Sequence, residues 1–267
     1  MPPPDPSFQA AARQAVVQFV RGRRAGRSSR TIHLVSYPRS GNTLTREFLS
    51  VLQGRPQYSV YDGDVVGAEA APLTHVLDGV DVVKSHQFTD DGDPMIYLVR
   101  DGRNATLSFL YMSFLFGGHH FSRLDEVFEA VQHLDRSEGS WTDHVARALA
   151  ESERRHTLFV RYEDLFAAPQ AALVRMARFV GADLASETAE ECVARQKQSS
   201  RYALNPFNGY LYEPHANSIY DVLKRHRDGN YWQHIFDARS RRYFHENGGT
   251  ELLMRFGYES SADWWLK

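Results

Sequence analysis

Four short runs of apolar residues constrain the fold of this chain more than any other feature of its sequence. None of them alternates apolar with polar residues, as a strand with one face in water would. The runs are Thr31–Ser36, Val80–Val83, Met95–Val99 and Leu158–Tyr162. Apolar residues at helical spacing lie between or after these runs, at Thr43–Leu52, Asn104–Phe116 and Gln170–Val180. Strands buried on both faces and separated by helices predict an α/β fold with a central, mostly parallel sheet flanked by helices.

The 267 residues of the chain are enough for one large domain of this kind. We expect residues 31–267 to form that single domain, because no internal repeat and no low-complexity linker divides them. Residues 1–30 are expected to form an N-terminal arm or helix, because apolar residues recur at helical spacing between Phe8 and Val20.

Composition and charge exclude several classes of protein. Basic residues number 31 and acidic residues 33, so the formal net charge of −2 gives no bulk attraction to nucleic acid. The single cysteine, Cys192, cannot form an intrachain disulfide or a cysteine-based zinc site. The sequence has neither a secretory leader pattern nor the roughly 18 apolar residues of a membrane-spanning helix. We therefore expect a cytoplasmic protein with no integral membrane span.

The candidate site lies where the predicted strands end, since ligands of such sheets bind beyond the carboxyl ends of the strands. The residues that follow the strands are Tyr37–Thr43, Lys84–His86, Arg100–Arg103 and Glu163–Asp164. Three of these four sets contain a cation or a histidine, which suits an anionic small molecule.

The segment from Ser36 to Thr43 has the frame of a phosphate-binding Walker A loop. Gly41 lets the backbone approach an anion, and the amides up to Thr43 can form an anion-binding nest at a helix start. The lysine position of the pattern holds Asn42, however, and the cation has moved to Arg39. This change argues against ordinary hydrolysis of a nucleoside triphosphate and favours a nucleotide with a different transferable group. A Ser/Gly turn before a capped helix is the structural alternative.

The loop sequence Y-P-R-S-G-N-T resembles the 5′-phosphosulfate loop of sulfotransferases that use 3′-phosphoadenosine 5′-phosphosulfate (PAPS). Val82–His86 resembles the family's strand ending in K-[TS]-H, and Arg100 with Ser108 eight residues later resembles its 3′-phosphate element. Weaker resemblances follow in the family's order at Gly139–Val145, Val160–Leu165 and Lys224–Phe236. Together they extend from about residue 31 to 258. The chain thus resembles a cytosolic-type, PAPS-dependent sulfotransferase with a P-loop-type domain.

The resemblance implies a role for each of these strand ends. His86 is the expected catalytic base, because neutral imidazole can take the proton of an acceptor hydroxyl. Lys84 and Arg39 are expected to offset negative charge on the sulfuryl group and the leaving oxygen. The loop residues expected to bind the nucleotide are Arg39, Ser40, Gly41, Asn42, Thr43 and Leu44. Tyr162 is expected to contact the adenine, with a place in the core as its alternative, and Ser199 is expected to offer a hydroxyl to the nucleotide. The 3′-phosphate is expected to be bound by Arg100 and Ser108 together with Lys224, Arg225 or Arg227.

The expected reaction is sulfuryl transfer from PAPS to a hydroxyl or amine of a small-molecule acceptor, with release of adenosine 3′,5′-bisphosphate (PAP) and without a metal. Aromatic residues are frequent in the least patterned segments, 53–80, 111–140 and 201–223. They suit an apolar or aromatic acceptor such as a secondary metabolite, although core or sugar-stacking roles are equally open. The family also suggests a homodimer. The alternatives are a P-loop kinase that uses ATP with Mg²⁺ and a non-catalytic nucleotide-binding protein.

Overall fold

The computed structural model describes residues 30–61, 64–117, 126–199 and 230–266. The strands of this part are β1 (Arg30–Ser36), β2 (Val80–Ser85), β3 (Met95–Val99) and β4 (Thr157–Arg161). They form one sheet in the order β2-β1-β3-β4, and every neighbouring pair is parallel. The predicted α/β fold with a central parallel sheet is confirmed.

The strands lack alternation because helices cover both faces of the sheet. On β1, Ile32 and Leu34 belong to one apolar cluster, whereas Val35 belongs to the cluster on the opposite face. The helices of the described residues are α1 (Asn42–Gln53), α2 (Gly102–Gly117), α3 (Val127–Glu138), α4 (Trp141–Ser152), α5 (Asp164–Ala167), α6 (Pro169–Phe179), α7 (Ser186–Ser199), α8 (Trp232–Ile235), α9 (Ala238–Glu246), α10 (Gly249–Arg255) and a 3₁₀ helix at Trp264–Leu266.

The register of the sheet brings the carboxyl ends of the strands to one edge. Val35 of β1 is paired with Ser85 of β2, and Ser36 is paired with Leu98 of β3. The residues that follow the strands therefore start at the same level of the sheet, which is the arrangement that the sequence predicted for the site.

Lys84 lies inside β2, which is two residues longer than predicted. Its Cα pairs with that of Leu34, because β1 continues far enough to keep β2 extended. On the outer side of β2, Ser59 forms a parallel bridge with Lys84, and the Val60 amide donates to the Lys84 carbonyl oxygen at 3.1 Å. Part of segment 53–80, which was expected to shape the acceptor pocket, thus lies along the sheet edge.

The predicted N-terminal arm lies outside the described residues, apart from Arg30, which begins β1. In the ranges that the structure describes, no helix is both long enough and apolar enough to cross a membrane.

Candidate functional site

The loop between β1 and α1 has a backbone that few residues can adopt. Gly41 precedes α1 with a φ of 102°, and a Cβ at this position would lie 2.8 Å from Cδ2 of Tyr162. Arg39 has a φ of 68°, and it is the non-glycine residue with positive φ among those described. Such backbone strain at a non-glycine residue is concentrated at functional sites. The loop is thus held in an unusual shape directly before α1, where the first backbone amides of the helix have no acceptor within the helix.

The side chains of the loop divide between holding its shape and remaining open to a ligand. Asn42 uses its Nδ2 atom to donate to Ser36 Oγ at 2.5 Å, so it closes the loop instead of replacing the missing lysine. Leu44 is buried in an apolar cluster, which leaves its amide as its contribution to the loop. Ser40 Oγ is buried without a hydrogen-bond partner among the described residues, and Thr43 is half-buried.

Arg39, Arg100 and Ser108 meet although they come from three elements. The Arg39 Nε atom donates to Ser108 Oγ at 3.1 Å, and Arg100 Nη1 donates to the Arg39 carbonyl oxygen at 2.7 Å. The Arg100 guanidinium also lies 4.3 Å from the ring centroid of Tyr162. The structure therefore brings together the residues predicted for the phosphosulfate, the 3′-phosphate and the adenine.

Tyr231 is a residue of this site that the sequence analysis missed. Its hydroxyl accepts a hydrogen bond from Arg100 Nη2 at 2.9 Å and donates to the Asn104 carbonyl oxygen at 2.8 Å. Its neighbour Trp232 is buried, and its ring stacks under the Arg103 guanidinium at 3.7 Å. The signal was an aromatic residue directly before Trp232, within the segment Lys224–Phe236 that resembles the family.

Arg103 belongs to the core, although it follows β3 in the same set as Arg100. It is 2% exposed and makes a bidentate ion pair with Asp101, through Nε at 2.9 Å and Nη2 at 2.6 Å. It also contacts Glu259. Arg103 therefore stabilises the start of α2, and of these two arginines Arg100 alone contacts the loop.

His86 follows β2 and has a defined tautomer. Its Nδ1 atom is 2.8 Å from the Ser36 carbonyl oxygen, which can only accept, so Nδ1 carries the proton. Nε2 then keeps its lone pair, and no described residue makes a hydrogen bond to it. Burial, and to a smaller degree the charge of Lys84, lower the pKa of His86 to about 3. The imidazole is therefore neutral at physiological pH and can act as a base through Nε2.

A second histidine holds the first one in place. His144 Nε2 donates to the His86 carbonyl oxygen at 3.0 Å, and its Nδ1 accepts from the Tyr97 hydroxyl at 2.8 Å. Burial lowers the pKa of His144 to about 4. Two neutral imidazoles thus form a hydrogen-bonded path from β3 through α4 to the end of β2.

These neutral histidines make the stability of the fold depend on pH. An unfolded histidine titrates near pH 6.5, so between that value and the lowered folded pKa the unfolded state binds more protons, and stability falls as pH falls. We expect His144 to contribute about 2 kcal/mol to the loss between pH 7 and pH 5. The pKa of Asp135, which burial raises to about 6, works in the opposite direction.

Urea unfolding of the wild type and of His144→Gln at both pH values isolates the histidine. Glutamine can keep both hydrogen bonds of His144 but does not titrate. The stability of His144→Gln should therefore fall less than that of the wild type between pH 7 and pH 5. Parallel pH dependences of the two proteins would contradict the assignment of this loss to His144.

Lys84 is buried in a cluster of charges that the sequence analysis did not find. Its Nζ atom is 3.0 Å from Asp64 Oδ2, and the other oxygen of Asp64 is 2.6 Å from Arg46 Nη2. The Tyr61 ring lies under the ammonium at 4.5 Å, and the Tyr61 hydroxyl accepts from the His86 amide at 3.2 Å. No motif marks Asp64 or Arg46, because their contact joins α1 to a residue next to the bridges that Gln57 and Ser59 form.

The roles of all the predicted site residues stay predictions, and the side chains of four of them are not described. Ser199 is the last residue of α7, and its side chain is not among those described. Lys224, Arg225 and Arg227 lie outside the described residues, as does the whole of the predicted acceptor segment 201–223.

A family model described as Sulfotransferase domain matches residues 29–252 of the chain. Among curated proteins, Sulfotransferase 1C2 of Rattus norvegicus is 22% identical over 264 residues, which covers 82% of this chain and 83% of that protein. Sulfotransferase 1B1 of Canis lupus familiaris is 21% identical over 266 residues, with 84% and 86% covered.

Two solved structures have the same fold. Retinol dehydratase in complex with androsterone and the inactive cofactor PAP matches with a TM-score of 0.55 and 18% identity, over 83% of this chain and 80% of that one. A mouse sulfotransferase complexed with PAP matches with a TM-score of 0.51 and 18% identity, over 84% and 85%.

Proposed function

Since the chain belongs to the sulfotransferase family and is a PAPS-dependent enzyme of that class, we propose that it transfers the sulfuryl group to a hydroxyl or amine of a small-molecule acceptor, with His86 as the general base. The observation that carries this assignment is the tautomer of His86. Its Nδ1 proton is engaged by the Ser36 carbonyl oxygen at 2.8 Å, so the free lone pair is on Nε2, next to the phosphate-type loop.

The loop supports the binding of an anionic nucleotide. Ser40 Oγ is a buried hydroxyl without a partner among the described residues, and Gly41 adopts the positive φ of 102° that turns the loop into the start of α1. The amides from Ser40 to Leu44 and the side chains of Arg39 and Thr43 would hold the 5′-phosphosulfate. Ser108 and Arg100 would hold the 3′-phosphate, together with one of Lys224, Arg225 and Arg227.

The reaction that we propose is an in-line displacement at sulfur. His86 Nε2 takes the proton of the acceptor as the acceptor oxygen or nitrogen forms a bond to sulfur. The bond between sulfur and the bridging oxygen of PAPS breaks, and PAP leaves with the electron pair. Lys84 and Arg39 offset the charge on the sulfuryl group and the leaving oxygen. Ser36 and His144 fix the ring and the peptide of His86, so positioning supplies much of the rate.

A pKa of about 3 makes His86 neutral but weakly basic before PAPS binds. General bases work best when their pKa is near the operating pH. The bound nucleotide brings negative charge next to the imidazole, and we expect this charge to raise the pKa of His86 toward neutrality.

The acceptor that we propose is apolar or aromatic. Tyr61 is 37% exposed, and its ring centroid is 5.8 Å from that of His86, so an aromatic surface lies beside the base. The matched retinol dehydratase is named with androsterone, which fits this acceptor class. Cytoplasmic location and a homodimer stay predictions.

Calorimetric titration with PAP and, separately, with ATP and Mg²⁺ tests the nucleotide. Tight binding of PAP without metal and weak binding of ATP are expected. Binding of ATP that requires Mg²⁺, with PAP no tighter than AMP, would reject the proposal in favour of a kinase. Turnover of PAPS with a panel of phenols, sterol-like alcohols and amines then separates the enzyme from a non-catalytic binding protein and identifies the acceptor class.

A further inference from the structure

Asp64 makes two charged contacts at the end of β2. Its Oδ2 atom is 3.0 Å from Lys84 Nζ and its Oδ1 atom is 2.6 Å from Arg46 Nη2. The Asp64 carbonyl oxygen also accepts from Arg46 Nη1 at 3.1 Å. Both oxygens of this carboxylate are thus engaged by cations, and one of these cations is the proposed catalytic lysine.

The contact of Asp64 with Lys84 matters because both cations that hold the carboxylate are buried. The side chain of Arg46 is 2% exposed and that of Lys84 is 9% exposed, whereas that of Asp64 is 31% exposed. Two buried cations close together repel each other and lose hydration, and both effects disfavour the charged form of a lysine. The carboxylate between them offsets both effects, and its own position is fixed by α1 through Arg46.

The backbone around Asp64 explains how a residue far from any motif reaches the lysine. Gln57 and Val66 form an antiparallel bridge, which brings residues 64–66 next to residues 57–61. Ser59 forms a bridge with Lys84 and so attaches residues 57–61 to the outer edge of β2. The position of Asp64 next to Lys84 is therefore fixed both by the backbone bridges and by the ion pair with Arg46.

We propose that Asp64 is a positioning residue of the active site, which holds the Lys84 ammonium at the end of β2 and keeps it charged for sulfuryl transfer. The catalytic part of this inference rests on the function proposed above. Asp64 acts through Lys84 and does not itself touch the reacting atoms.

Four described groups that titrate or carry charge face Lys84. Arg46 faces it from α1, Asp64 and Tyr61 from segment 57–66, and His86 from the end of β2. Burial, and to a smaller degree Arg46, lower the pKa of Lys84, whereas Asp64 raises it. Burial opposes the ionised form of Asp64, but Arg46 and Lys84 bring its pKa down to about 2. At neutral pH the carboxylate is therefore ionised and able to hold a charged lysine.

The wild-type chain is well suited to a direct test, because it contains four lysines, Lys84, Lys197, Lys224 and Lys267. A ¹⁵N spectrum of the lysine ammonium groups should contain a signal that is protected from exchange with water and that Lys84→Arg removes. Lys197 is exposed on α7 and supplies the unprotected reference. If the Lys84 ammonium exchanges as rapidly as that of Lys197, the proposal is wrong, and this result requires no folded variant of Asp64.

The variant Asp64→Asn keeps the size of the side chain and removes the charge. Removing an opposite charge in contact shifts a pKa by about 1 to 3 units, so the pKa of Lys84 should fall by at least about one unit. Asp64→Glu, which retains a carboxylate, should restore most of this shift. Asp81→Asn is the matched control, because Asp81 lies on the same strand and pairs with Arg55. An unchanged pKa of Lys84 in folded Asp64→Asn would overturn the proposal.

Kinetics then separate positioning from a purely structural role. In Asp64→Asn the loss should fall on kcat more than on the KM for PAPS, and the alkaline limb of the kcat profile should move to lower pH. In the Lys84→Arg background this movement should vanish, because arginine does not lose its proton. Persistence of the movement there would refute the proposal. A wild type without PAPS turnover would count against the proposed function alone, since the spectra use no nucleotide.

Discussion

Replacing His86 by asparagine is expected to lower kcat by about 10² or more, the usual contribution of a general base, and to leave the Kd for PAP nearly unchanged. The asparagine amide can still donate to the Ser36 carbonyl oxygen, which accepts from His86 Nδ1 at 2.8 Å. It offers no atom that takes a proton at neutral pH. The loss of turnover would therefore report the missing base and not a change in the shape of the loop.

The measurement is PAP release under saturating PAPS and acceptor, with calorimetry of PAP on the same preparation. His86→Ala should lose at least as much turnover, because it also gives up the hydrogen bond to Ser36. His75→Asn serves as the control, since His75 is an exposed histidine that pairs with Asp78. Turnover that survives in His86→Asn would show that another group removes the proton, and a parallel loss of PAP binding would assign His86 to the loop instead.

The fold was predictable because its strands carry a local signal. Met95–Val99 has the observed bounds of β3, since Pro94 precedes it and the charged Arg100 follows it. β2 was predicted too short because Lys84 and Ser85 are polar, yet both are buried and paired with β1. Pairing with a neighbouring strand extended the strand where composition alone would have ended it.

The site was predictable where a motif directly follows a strand, and it was not predictable where a contact joins distant segments. Arg39, Arg100 and Ser108 meet as the strand-end rule expects. Asp64 and Arg46 contact each other and Asp64 contacts Lys84, the proposed catalytic lysine, and nothing in the spacing of the sequence encodes these contacts. Motifs therefore predict which groups meet beyond the ends of the strands, whereas the contacts that orient these groups depend on tertiary structure.

Replacing Arg100 by alanine is expected to weaken PAP by about 10- to 100-fold and to weaken adenosine 5′-phosphosulfate much less. A hydrogen bond to a charged group is worth about 1.5 to 3 kcal/mol, and only PAP of these two ligands carries the 3′-phosphate. Arg100 has a fixed position, with Nη1 on the Arg39 carbonyl oxygen at 2.7 Å and Nη2 on the Tyr231 hydroxyl at 2.9 Å. This preorganisation lowers the ordering cost of gripping a phosphate.

The same contacts give the experiment a second outcome that can be distinguished from the first. In this second outcome, loss of the hydrogen bond from Arg100 to the Arg39 carbonyl oxygen loosens the loop between β1 and α1 and weakens the binding of both ligands equally. Arg161→Ala is the matched control, because Arg161 is a half-exposed cation at the end of the neighbouring strand β4. Calorimetry of both ligands on both variants decides between the roles. If Arg100→Ala alone loses affinity for PAP selectively, Arg100 binds the 3′-phosphate. If it loses affinity for both ligands equally, Arg100 only supports the loop between β1 and α1.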